Sequence, residues 1–72
     1  MDSITVGATI ARLRRQKNMT QAELAKRLNI SSKAISKWET GKGYPDVVLF
    51  PELSRILGVS IDYIMLGENE NS

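Results

Sequence analysis

Helix start and stop signals punctuate this 72-residue chain from end to end, and they constrain its fold more than any other feature. Thr20-Gln21-Ala22-Glu23 has the form of a capping box, in which the Thr20 hydroxyl and the Glu23 carboxylate satisfy each other's backbone donors. Ser31 and Ser60 stand where N-caps belong, and Asn29, Gly41, Gly58 and Gly67 stand where helices end. Between these signals the apolar residues recur at steps of three and four. The first helix carries Val6, Ile10 and Leu13, and runs out near Asn18. The second buries Leu24, Ala25 and Leu28, the third Ala34, Ile35 and Trp38. A fourth buries Leu53, Ile56 and Leu57, and a fifth Ile61, Ile64 and Met65. Asp46 and Pro51 offer competing starts for the fourth, which places its regular part near Phe50. No stretch alternates as a strand does, so the expected fold is all-α, with five short helices around one modest core.

Composition removes whole classes of chemistry. The chain has no cysteine and no histidine, which excludes disulfide scaffolds, zinc fingers, cysteine nucleophiles and histidine acid–base catalysis. No metal site, cofactor site or small-molecule site is expected, and no paired carboxylates in an apolar setting suggest an enzyme. Nor does any run approach a membrane span or an export signal, which favours a cytoplasmic protein. The domain is expected to occupy residues 1–67. The polar tail at 68–72 suits either a natural end or a linker into a further domain.

The formal charge of +2 conceals an asymmetry. Nine basic and two acidic residues lie between Arg12 and Lys42, a local net of +7, whereas Gly43 to Ser72 holds Arg55 against five acids, a net of −4. Concentrated positive charge of this kind is the footprint of a polyanion partner, although a solvated charged face has the same composition. The third helix favours the first reading. At about 100° per residue, Ser32, Lys33, Ser36 and Lys37 share one face, while Ala34, Ile35 and Trp38 share the opposite one. No acid one turn away pairs with either lysine.

Two short helices joined by a tight turn, from Gln21 to Trp38, have the architecture of a helix-turn-helix. Leu13-Arg14, Met19 to Ala25, Leu28 to Ser31, Ile35 to Gly41, Pro51-Glu52-Leu53, and Ile56 to Ser60 followed by Ile61-Asp62 stand in this order along the chain. Together these segments resemble the Cro and phage-repressor (Xre-like) family of helix-turn-helix regulators. Asn29 departs from the glycine frequent in the family's turn, a conformationally easy exchange. The resemblance implies a lambda-repressor-like five-helix domain that binds double-stranded DNA and regulates transcription, with repression the expected sign. Two copies would sit on a palindromic operator, as a homodimer on DNA that is weak or monomeric when free. An antitoxin or protein-docking module on the same fold is the alternative.

Residue by residue, the resemblance places Ser32, Lys33 and Lys37 at base-reading positions, with Ser36 a secondary candidate. Gln21 matches a phosphate clamp at the start of the second helix. The backbone of Thr40 and Gly41, together with Lys42 and Tyr44, would follow the recognition helix to the flanking strand. Arg14 and Glu39 match a pair that orients the third helix. Trp38 reads as core. Tyr63, Ile64 and Leu66 offer an apolar surface for dimerisation, Ile64 being equally placed to join the core.

Overall fold

The computed structural model describes residues 2–68, which form five α-helices and one short 3-10 turn, with no strand among them. The helices are α1 (Ser3–Gln16), α2 (Gln21–Leu28), α3 (Ser32–Glu39), α4 (Phe50–Leu57) and α5 (Ile61–Leu66). The 3-10 turn, Val47–Leu49, precedes α4. Both competing starts for the fourth helix are therefore used: Asp46 accepts from the Val48 N–H and caps the turn, and Pro51 sits in the first turn of α4. Residues 69–72, most of the expected polar tail, lie outside the described residues.

The local signals act as the sequence implies. Thr20 Oγ1 accepts from the Glu23 N–H at 3.0 Å, and Glu23 Oε1 accepts from the Thr20 N–H at 2.9 Å. Ser31 and Ser60 each accept the N–H three residues on. Asp2 caps α1, accepting the Thr5 N–H at 2.8 Å. At the other end of α2, Asn29 adopts a left-handed conformation with φ 58°. The Ile30 N–H then reaches back to the Ala25 carbonyl at 3.0 Å, and one residue later Ser31 opens α3. Asparagine tolerates this backbone better than most residues because its short polar side chain can hydrogen-bond locally.

The core lies where all five helices meet. Val6, Ile10 and Leu13 of α1 pack with Leu24, Ala25 and Leu28 of α2, Ile35 and Trp38 of α3, Leu53 and Leu57 of α4, and Ile64 of α5. Phe50 at the start of α4 and Met19 in the α1–α2 loop complete it, where periodicity alone does not point to them. Ala34, Ile56, Ile61 and Met65 are only half-buried and pack around the rim. The long α1 lies against α3, α4 and α5, and α3 is held between α1 and α2. This sandwiching of α3 leaves one of its faces to solvent.

Candidate nucleic-acid interface

Helix α3 is divided by its packing. Ile35 and Trp38 are buried, while Ser32, Lys33 and Lys37 are exposed and Ser36 is half-buried on the other side. The two ion pairs among the described residues are Arg14–Glu39 and Arg55–Glu52, so neither lysine of α3 is neutralised. The four expected base-reading side chains are thus brought onto one solvent-facing surface. Lysine offers three donors and serine one donor and two acceptor sites, which suits the acceptor-rich major-groove edge of guanine and several other base edges.

A polar junction joins α1, α2 and α3 at the end of α3. Arg14 Nε donates to Glu39 Oε2 at 2.7 Å and Arg14 Nη2 to Glu39 Oε1 at 2.9 Å, a bidentate pair whose side chains are 10% and 5% exposed. Arg14 Nη1 donates to the Met19 carbonyl at 2.7 Å, which ties the pair to the α1–α2 loop. Gln21 Nε2 donates to Glu39 Oε1 at 2.9 Å, which brings in the first turn of α2. Burial alone pushes the Glu39 carboxyl up. Hydrogen bonds from Arg14 and Gln21, with the positive charges of Arg14 and Arg15, outweigh that and hold it below the usual carboxylate range. The hydrogen bond to Glu39 likewise raises Arg14. A buried pair adds little net stability, because desolvation offsets much of the attraction. Its planar, two-pronged geometry does restrict orientation.

The junction alters the expected phosphate clamp. Gln21 is committed to Glu39 through one amide hydrogen, and its second amide hydrogen stays available because a carboxamide nitrogen carries two. With the Glu23 N–H taken by Thr20, the backbone donors left at the start of α2 are those of Gln21 and Ala22, aligned with the helix dipole. The Glu23 carboxylate sits at the same helix end, held below its usual range by bonds from the Thr20 backbone and hydroxyl.

Beyond α3 one expectation is corrected. The N–H groups of Thr40, Gly41 and Lys42 all turn inward, to the carbonyls of Ser36, Trp38 and Lys37 at 3.1, 3.0 and 3.0 Å. The Thr40 hydroxyl also donates back into α3, at 2.9 Å to the Ser36 carbonyl. Helix ends carry orphan carbonyls, and this segment satisfies them with its own donors. Neither Thr40 nor the Gly41 backbone has a donor left for a phosphate. Lys42 and Tyr44 remain exposed beside them.

A second correction falls on the apolar surface of α5. Ile64 is fully buried, because it points from α5 into the core between the other helices, and it cannot join a dimer face. Leu66 is 47% exposed. Tyr63 is half-buried; its hydroxyl accepts from Arg12 Nη2 at 3.0 Å, and the guanidinium lies 5.5 Å from the ring centre. Sequence reasoning missed Gly7, which lies inside α1 where α1 crosses α3. Its signal was present, since glycine within a helical pattern is unfavourable unless packing requires it.

A five-helix fold whose second and third helices form a tight turn, with the outer face of the latter uncovered and basic, defines a helix-turn-helix domain. The chain belongs to the helix-turn-helix family, whose profile matches residues 10–64. It is 46% identical over 59 residues to the HTH-type transcriptional activator BcrR of Enterococcus faecalis, covering 82% of this chain and 29% of that protein. It is 36% identical over 63 residues to Multiprotein-bridging factor 1 of Candida glabrata, covering 88% of this chain and 42% of that one. The chain thus corresponds to less than half of either relative. Among solved structures, the clp gene regulator ClgR of Corynebacterium glutamicum matches with a TM-score of 0.80 at 25% identity, over 89% of this chain and 68% of that one. Hydroxypropylphosphonic acid epoxidase from S. wedmorenis matches with a TM-score of 0.79 at 25% identity, over 88% of this chain and 34% of its own. Among the described residues no helix is long and apolar enough to cross a membrane.

Proposed function

We propose that this chain binds double-stranded DNA sequence-specifically and regulates transcription, with α3 inserted in the major groove. The observation that carries this reading is the division of α3: Ile35 and Trp38 lock one face into the core, and Ser32, Lys33, Ser36 and Lys37 occupy the other without an acidic partner. Ser32, Lys33 and Lys37 read base edges and Ser36 supplements them. Gln21, through its second amide hydrogen and the first-turn amides of α2, meets a phosphate, and Lys42 and Tyr44 follow the flanking strand. The relatives' names support regulation. Occlusion of a promoter, hence repression, is the simplest output of DNA binding by a helix-turn-helix domain, although the Enterococcus relative is called an activator.

Two copies on a palindrome would place their α3 helices about 34–36 Å apart, one turn of the duplex. Tyr63 and Leu66 are the residues of α5 left to join such copies. On this reading the protein works in the cytoplasm, associated with a bacterial or phage nucleoid. A second reading, protein docking, is favoured by the likeness to a multiprotein-bridging factor.

Selection of bound sequences from random duplex DNA tests the proposal directly. The expected result is an enriched palindromic motif in which Lys33→Ala and Lys37→Ala each relax the preference at one base-pair position. No enrichment by a folded protein would overturn DNA reading and leave docking as the function to pursue.

A further inference from the structure

The loop after α3 carries two glycines, and the backbone demands only one of them. Gly41 has φ +74°, a conformation strained for any residue with a side chain. Gly43 is outside that region, so its backbone would accept other residues. What fills the space beside Gly43 is the stem of Lys37. A β-carbon built on Gly43 would stand 3.5 Å from Lys37 Cε and 3.8 Å from both Cδ and Cγ. Three successive methylenes therefore run across the bare side of this glycine.

The path of the chain explains the juxtaposition. Gly41 and Lys42 donate back to the carbonyls of Trp38 and Lys37, which folds the chain over the last turn of α3 and delivers residue 43 beside residue 37. A lysine stem has four rotatable bonds and in solvent would sample many directions. Packed along backbone, it follows fewer of them and keeps its ammonium in water.

We propose that Gly43 is a specificity-determining positioning residue: by leaving its side open, it sets the path of the Lys37 stem and so the place where the ammonium enters the groove. The inference rests on the reading of α3 as the recognition helix. It locates part of the sequence preference outside that helix, in a residue that touches no base. Alanine at 43 would meet the stem at ordinary contact distance and confine it. Valine would occupy the stem's own volume and displace it.

The test compares Gly43→Ala and Gly43→Val, each with Lys37 intact and with Lys37→Ala, by duplex selection. Thermal unfolding confirms the folded state, and NMR relaxation of the Lys37 methylenes in the free protein reports the packing. At the base pair whose preference Lys37→Ala abolishes, Gly43→Val is expected to change preference roughly fivefold or more, the lower end of what one good base contact discriminates. Gly43→Ala is expected to act at the same position more weakly, and both effects should vanish in the Lys37→Ala background. The Lys37 methylenes should become more mobile in Gly43→Val. Should valine unfold the domain, Gly43→Ala and Gly43→Ser carry the same comparison. A wild-type preference untouched at that position, or a change that persists without Lys37, overturns this inference alone. A folded wild type that selects no sequence overturns both it and the DNA-binding reading.

Discussion

Gly7 and Trp38 meet backbone to backbone, 31 positions apart in the chain: a β-carbon on Gly7 would stand 1.8 Å from the Trp38 carbonyl oxygen. Neither partner can yield cheaply, since one is the middle of α1 and the other the last turn of α3. The absence of a side chain lets the two helices cross at this distance.

Gly7→Ala is accordingly expected to destabilise the domain, although alanine is the better helix former by about 1 kcal/mol. Separating two packed helices costs about 1–3 kcal/mol or more and outweighs that gain. Urea unfolding checks it. A variant as stable as the wild type would mean that the crossing relaxes freely.

Arg14→Ala removes one half of a buried pair and leaves Glu39 with Gln21 as its remaining hydrogen-bond donor. The expected loss is about 3 kcal/mol, within the range for breaking buried pairs. DNA affinity should fall as well, measured below the variant's unfolding temperature, because α3 loses its orientation. Full affinity in a folded Arg14→Ala protein would show that the pair does not position the helix.

The same junction predicts a pH dependence. Burial raises the Glu39 carboxyl, and the bonds from Arg14 and Gln21 more than reverse that, so the folded protein protonates Glu39 at a lower pH than the unfolded chain. The corresponding stability is present in full above the ordinary glutamate value. It is lost as pH falls through the folded value, with a slope of up to about 1.4 kcal/mol per pH unit for one proton. Asp2 and Glu23, lowered chiefly by backbone hydrogen bonds from Thr5 and Thr20, act in the same direction from exposed positions, where solvent weakens them. Unfolding free energies at several pH values should show an acid limb shallower in Glu39→Gln. Equal limbs would assign the acid loss to the two caps.

Lysines of the two proposed contact types should separate under salt. Lys33→Ala is expected to relax preference at one base pair, at a cost of about 1–3 kcal/mol on the preferred site. Lys42→Ala should weaken all duplexes alike and reduce the slope of log affinity against log salt by about one unit. Fluorescence anisotropy at several salt concentrations distinguishes them. A Lys42 effect confined to one sequence would reverse the assignment.

Much of this protein is legible from its residues taken in order. Capping signals at Thr20, Ser31 and Ser60 and the left-handed ends at Asn29, Gly41, Gly58 and Gly67 act over a few residues. The helices and their order therefore follow from local chemistry, and so does the polar face of α3, which depends only on helical angle. Tertiary structure decided what depends on a neighbour distant in the chain. Thus Gln21 is held by Glu39, Ile64 enters the core instead of an interface, and Gly7 admits the Trp38 carbonyl. Spacing records the direction in which a side chain points. The group it meets depends on how the helices cross, and that is settled by the shape of a core to which all five contribute.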